Sequence, residues 1–530
     1  MKPQRTILLF AILAAFLAGC VRPWPGSDLY APARGGGDTA AVFIAPTLAA
    51  LPKQGSNPAD PAPSAPPLSP AAPAGTPTPL PQAPSASPTP DSPHPQPTLR
   101  SHPETYIVQA GDSLVAIAQR YQLSLATLLA ANPSANPDLL YVGVSLVIPA
   151  PSPDDTGSSF KIIPDSELVY GPRAADFDTV GFIKQRGGML ASFHEQVDGV
   201  ETYGPQIVDR IAHEYSVNPR LLLAVLEYTS GWVTQSNPQK TPSSYPMGYA
   251  DPAHTGLWRQ LSWAADNLNR GFYLWQANGL SMLGLPSGDV VPVAATINAG
   301  TAGVQYLYSL LGDRSSWRKA VSAEGVYSTF TRLFGSPFSY AFEPLLPAGL
   351  TQPAMLLPFE PGDAWSFTGG PHGGWAEGSA WAAIDFAPPG DAFGCYVSST
   401  WAVAVADGVI VRSANGGVVE DLDGDGKEQT GWTVLYMHMA TSGRAAVGTR
   451  VHAGDHIGHP SCEGGVSDGT HMHLARRYNG VWIAADGPVP FNLDGWITSG
   501  DGIEYDGFLK KNGQSIEAWN GRTAANQIQR

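Results

Sequence analysis

Charge is scarce in this chain of 530 residues, of which only 14% are Asp, Glu, Lys or Arg. Lys and Arg number 30 against 45 Asp and Glu, for a net charge of −15. A chain this short of cations is not built to bind phosphate backbones, which excludes a nucleic-acid partner. Long apolar runs are equally scarce. Ile7 to Phe16 is apolar but too short to span a bilayer comfortably, and no other segment is a transmembrane candidate. There are three cysteines, Cys20, Cys395 and Cys462, too few for a disulfide-built scaffold. What abounds is Pro (50) and Gly (58), a fifth of the chain, and that excess excludes a protein packed along its whole length. Histidine is uneven: seven of twelve fall between His372 and His473, which marks one region for metal or acid–base chemistry.

At the N-terminus, Lys2 and Arg5 precede the short apolar run, which ends in Leu17-Ala18-Gly19-Cys20. A basic end, an apolar core and small residues before a cleavage point describe a secretory signal. The ending resembles the lipobox of bacterial lipoproteins, which implies that Cys20 is lipidated and tethers the mature chain to a membrane outside the cytoplasm. Removing Cys20 leaves the pair Cys395 and Cys462, which an oxidising compartment would join. Residues 21 to 103 hold most of the excess proline, with 17 of the 50 between positions 51 and 100. They bury too little to fold and are expected to form an extended linker with a coil span of about 50 Å.

Residues 104 to 150 place apolar positions Leu114, Ile117 and Ala118, then Leu125, Leu128 and Leu129, at helical spacing between two β-rich ends. Strand, helix, helix, strand follows. The string resembles the LysM module through Tyr106-Ile107-Val108, Gly111-Asp112-Ser113-Leu114, Asn132-Pro133 and Leu146-Val147-Ile148-Pro149. That resemblance implies binding to the N-acetylglucosamine backbone of peptidoglycan or chitin.

Residues 160 to 345 read as mostly helical, with Asn218-Pro219 a helix start. Leu221 to Trp232, Gly256-Leu257-Trp258 and Ile297-Asn298-Ala299-Gly300 resemble motifs of lysozyme-like lytic transglycosylases. That family places its acid, a glutamate, directly before Ser-Gly, and this chain has Thr229 there. A hydroxyl cannot protonate a glycosidic oxygen as a carboxylic acid does. Glu227, two residues back and about 200° around a helix, is expected to face elsewhere. The domain is therefore expected to be non-catalytic.

From Met355 onward, alternating apolar residues and close-set turn signals read as short strands of an all-β domain. In Thr470-His471-Met472-His473-Leu474, alternation would set both histidines on one face and Met472 and Leu474 on the core side. In Thr433 to Met439, the same rule puts Val434, Tyr436 and His438 together. His372 and Asp385, thirteen apart, share no single face and would meet only through a loop that folds back.

Together these segments resemble the zinc endopeptidases that cut peptidoglycan cross-bridges, the lysostaphin and LytM group, most closely their β-lytic and staphylolysin branch. The resemblance rests on Gly369-Gly370-Pro371-His372, Ile384-Asp385, Tyr436-Met437-His438-Met439, Cys462-Glu463-Gly464-Gly465 and His471-Met472-His473. It implies one Zn²⁺ held by His372, Asp385 and His473, with His438 and His471 as the catalytic pair. Two imidazoles and one carboxylate leave the fourth zinc position open, as hydrolytic sites require. His452, His456 and His459 match no motif position and read as hairpin or surface residues. Asp421, Asp423 and Asp425 resemble half of a calcium loop, but Trp432 stands where the closing glutamate belongs, so a Ca²⁺ site and an inert acidic insertion both fit.

The expected protein is multidomain. It has a signal over 1–20, a linker over 21–103 and a LysM βααβ module over 104–150. A mainly α, lysozyme-like domain over 160–345 and an all-β antiparallel zinc peptidase over 355–500 follow, with a C-terminal extension over 501–530. The function implied is that of a lipid-anchored, cell-envelope zinc endopeptidase acting on peptidoglycan. The alternative is a non-catalytic scaffold or activator that keeps the peptidase fold.

Overall fold

The computed structural model describes residues 102–150 and 156–530, apart from positions 110, 111, 122, 124, 137–139 and 391. The signal, the lipidation cysteine Cys20 and the linker lie outside the described residues. Among those described, no helix is long and apolar enough to cross a membrane.

The first unit with regular structure is strand Glu104–Ile107, helices Leu114–Arg120 and Leu125–Ala131, and strand Ser145–Ile148, with the two strands paired antiparallel. Leu114, Ile117, Ala118 and Leu128 form its core with Leu146 and Ile148. Asn132 stitches the end of the second helix to the last strand. Its side-chain N–H groups donate to Leu128 O and Val147 O, and its Oδ1 accepts from Val147 N.

Residues 157–347 are mostly helical. The buried helix Pro219–Ser230 starts as its sequence requires: Asn218 Oδ1 accepts from Arg220 N, Pro219 occupies the first turn, and Gly231 ends the helix in the left-handed region. Glu227 does face away from Thr229. Its carboxylate is buried and accepts from Val233 N, Thr234 N and Thr234 Oγ1, and it pairs with Arg332. Thr229 instead lines a cavity of about 350 Å³ with Tyr228, Lys240, Tyr308 and Lys319.

The C-terminal half is built on a nine-stranded antiparallel sheet. Its order is Arg450–Val451, Gly408–Ala414, Gly417–Asp421, Trp432–Met437, Met472–Tyr478, Ala383–Ala387, Ala364–His372 and Gln527–Gln529, with Val481–Trp482 paired to the Met472 strand. One face carries Ile384, Phe386, Val418, Val434, Tyr436, Met472 and Leu474 into the domain's own core. The opposite face carries Ala383, Val419, Leu435, Met437, Ala475 and Trp482 into the same core as Ile207, Leu222 and Phe272 of the helical region. The helical region and the sheet are therefore packed as one body, with Tyr273 Oη accepting from Trp482 N at 2.9 Å and Ser216 Oγ donating to Gly480 O at 2.7 Å.

Two expectations change here. The segment set apart as a C-terminal extension, 501–530, belongs to the domain. Strands Phe508–Lys511 and Gln514–Glu517 extend a second sheet begun by Asn492–Leu493 and Trp496–Ser499, and Gln527–Gln529 edges the main sheet. Leu509 and Ile528 are buried in its core, an apolar content too sparse to read as strands in advance. The alternation from Val434 through Tyr436 does not reach His438. The strand stops at Met437, and His438 has φ of +65°, which turns it away from the core face.

Candidate metal centre

Four neighbouring strands bring the chemistry to one end of the sheet. His473 lies opposite Asp385 on one side and Met437 on the other. His372 closes the next strand, and His438 follows directly on Met437. Alternation sends Met472 and Leu474 into the core and leaves His473 on the opposite face, with Asp385 beside it between Ile384 and Phe386.

Three lone-pair atoms converge. His372 Nε2 lies 2.9 Å from His473 Nδ1, and Asp385 Oδ1 lies 3.3 Å from each. The far nitrogen of each ring faces a carbonyl: His372 Nδ1 to Gly370 O at 2.8 Å and His473 Nε2 to Gly374 O at 3.1 Å. Those far nitrogens carry the protons, so in the neutral rings the converging nitrogens are bare acceptors. Asp385 Oδ1 is buried with no hydrogen-bond donor. Three acceptors crowded this closely repel unless a cation sits among them. Their spacing suits one, since tetrahedral zinc with bonds of about 2.0–2.1 Å sets ligand atoms about 3.3 Å apart. The residues present therefore fit a zinc ion.

Two further imidazoles border the triad. His471 Nδ1 donates to Gly469 O at 2.8 Å, and its Nε2 lies 3.8 Å from Asp385 Oδ2. His438 Nδ1 donates to Glu463 O at 3.2 Å, and its ring centroid is 4.5 Å from that of His471. Burial would push the Asp385 carboxyl up, but the surrounding imidazoles of His372, His471 and His473 outweigh it and hold the group well below the carboxylate range. Burial, then repulsion from His471 and His473, pushes His438 down to about 3, so it stays neutral at working pH.

Comparisons with known proteins relate the chain to a protease and to a LysM domain. Residues 106–149 match the LysM domain model, and residues 161–347 match that of the LasA N-terminal domain. Protease LasA of Pseudomonas aeruginosa is 26% identical over 347 residues, which cover 61% of this chain and 75% of that protein. Over that span the chain is similar to LasA, and it carries the LysM match ahead of the LasA N-terminal match. The N-acetylmuramoyl-L-alanine amidase XlyA of Bacillus subtilis is 28% identical over 121 residues, 22% of this chain and 40% of that protein. Among solved structures, the M23 metalloprotease pseudoalterin is 23% identical, with a TM-score of 0.28, over 34% of this chain and all of that one.

The structure brings all five expected histidine and aspartate residues together and leaves the other three histidines apart. His452 is exposed beside Asp407, His456 stacks on Trp401 and pairs with Glu360, and His459 Nδ1 donates to Thr400 O. Cys395 and Cys462 form a disulfide that ties two loops near the site, one of which leads into His471. Tyr505, whose ring stacks on His372 at a centroid distance of 4.2 Å, was missed because it falls in the supposed extension. No sequence signal marks the carbonyls of Gly370 and Gly374.

The acidic insertion gathers Asp421, Asp423 and Asp425 closely enough to share an ion. Their oxygens nevertheless accept from the loop itself: Asp421 from Asp423 N and Gly426 N, Asp423 from Asp425 N, and Asp425 from Lys427 N and Thr430 Oγ1. The residue that follows, Glu428, is buried among Arg412, Arg477 and His213 of the helical region.

Proposed function

We propose that the chain is a zinc metalloendopeptidase of the cell envelope that hydrolyses peptide bonds of peptidoglycan, with the LysM module holding it to the glycan. The observation that carries this reading is the convergence of three bare acceptor atoms, His372 Nε2, Asp385 Oδ1 and His473 Nδ1, within 3.3 Å of one another. Similarity to Protease LasA and the LysM match support the class of substrate. Lipidation of Cys20 and an extracytoplasmic address belong to the same reading.

His372, Asp385 and His473 would hold the zinc, which when bound supplies a Lewis acid for the scissile carbonyl and lowers the pKa of water toward 7. The protein's residues handle the protons. His438, neutral and with Nδ1 committed to Glu463 O, accepts the proton of the attacking water at Nε2. His438 then passes that proton to the leaving amine, while His471, held by Gly469 O at Nδ1 with its Nε2 beside Asp385, would in its protonated form donate from Nε2 to the developing oxyanion. The carbonyls of Gly370 and Gly374 fix the ring orientations of the two ligating histidines. The helical domain is a lysozyme-like relic: Thr229 lines its cavity, and Glu227 is consumed by the Val233–Thr234 turn and Arg332.

Mass spectrometry of fragments released from purified peptidoglycan tests the assignment. Cleavage should produce new amine and carboxylate ends within the peptides and no new reducing sugar ends. Intact peptides, or glycan-strand cleavage alone, would overturn it.

A further inference from the structure

The thirteen-position separation of His372 and Asp385 is bridged by a loop, 373–382, that leaves the metal centre and returns to it. The loop is internally pinned: Gly374 N donates to Ala380 O, Trp375 N to Ser379 Oγ, and Ala376 adopts φ of +53°. Near its start, Gly374 O accepts from His473 Nε2 and so sets the orientation of that ring. Its tip rests on the helical region. Gly378 N donates to Asp266 Oδ1 at 2.7 Å, and Asp266 belongs to helix Leu257–Gln276 of the helical region. Any side chain at Gly378 would collide with the backbone carbonyl of Asp266, so the loop and the helix meet backbone to backbone. Two flanking contacts extend the joint. Arg270, one turn along the helix, pairs with Glu377 at 3.1 Å, and the Tyr215 ring meets Trp375 edge-on at 6.3 Å.

We propose that the helical domain is a working part of the metal centre, and that Asp266 is a positioning residue which holds loop 373–382 so that Gly374 O keeps His473 in its ligating orientation. The inference rests on the zinc reading above. Its chain of contacts is short: Asp266 fixes Gly378, the pinned loop fixes Gly374, and Gly374 fixes the His473 ring. Partners that orient a zinc-bound histidine through its second nitrogen typically change metal affinity by about 10–100-fold when lost. Asp266 acts through an intervening loop, so the lower end of that range applies.

The experiment uses the full chain and measures zinc affinity by competition with a chromophoric chelator. Asp266→Ala is expected to raise the zinc dissociation constant about tenfold, with helical content and thermal midpoint retained. Asp266→Asn keeps an acceptor for Gly378 N and should stay within about threefold of the original chain. Activity lost in the alanine variant should return when zinc is added in excess, which a general loss of packing would not allow. Because coupling is reciprocal, zinc should also slow hydrogen exchange at the Gly378 amide of the unmutated chain. That readout stands even if the alanine variant does not fold. An unchanged zinc affinity in a folded Asp266→Ala variant, or Gly378 exchange indifferent to zinc, overturns the proposal. Failure of the unmutated chain to bind zinc overturns the zinc reading instead.

Discussion

At the residue scale, each imidazole is specified by what its second nitrogen touches. His372 and His473 turn bare nitrogens toward Asp385 because Gly370 O and Gly374 O take their protons. His438 and His471 are fixed likewise by Glu463 O and Gly469 O, but neither joins the convergent set. The pairing of His471 with His473 was legible in the sequence, since alternation alone puts two residues on one face. The position of His438 was not, because a left-handed φ at a non-glycine residue leaves no mark on the apolar pattern. These separate roles predict separate losses. His438→Ala should reduce kcat by about 10²–10⁴-fold while zinc content stays at that of the unmutated chain. Steady-state kinetics beside metal analysis checks both.

At the scale of elements, the strand Trp432–Met437 shows how the fold was partly readable. All six of its residues are buried, and so are all five of Ala383–Ala387. A continuous apolar run of this kind signals a sheet covered on both faces. That signal was present in Trp432-Thr433-Val434-Leu435-Tyr436-Met437 and would have foretold that something covers the second face. It could not have named the helical region as the cover, since the pairing depends on side chains 200 residues apart. Beside this strand, Glu420 is buried and accepts from Tyr436 Oη at 2.5 Å. Burial, the largest cause, pushes its pKa up to about 8. The folded state thus holds a proton that the unfolded chain releases above about pH 4.3. The stability this proton lends is complete below that value and declines as pH rises toward 8, by about 1.4 kcal/mol per unit. Glu420→Gln should therefore flatten the fall in thermal midpoint between pH 5 and 8, as calorimetry across that range would show.

At the scale of the whole molecule, the helical region and the peptidase sheet share one hydrophobic core, with a buried charge cluster at their junction. Glu428 binds Arg412 and Arg477 of the sheet and His213 of the helical region. Burial opposes its charge, but Arg412, His213 and Arg477 around it hold its carboxyl well below the usual range. Its contribution is thus present above the unfolded value near pH 4.3 and lost as pH falls through the lower folded one. Glu428→Ala leaves the buried guanidinium groups of Arg412 and Arg477 without their anion and should cost about 3–5 kcal/mol by denaturant unfolding at pH 7. The acidic insertion was read from its aspartates, yet its structural consequence lies in the residue just beyond them. The expectation of independent modules missed this junction, because spacing within a motif carries no information about which surfaces later meet.

The most direct test of the account is the metal content of the full chain, purified without chelator and measured by mass spectrometry, beside its His473→Ala variant. The account predicts one zinc per unmutated chain, loss of that zinc in the variant, and peptide-bond cleavage of peptidoglycan only where zinc is retained. Cleavage by a zinc-free chain, or a His473→Ala variant that keeps both metal and activity, would contradict it.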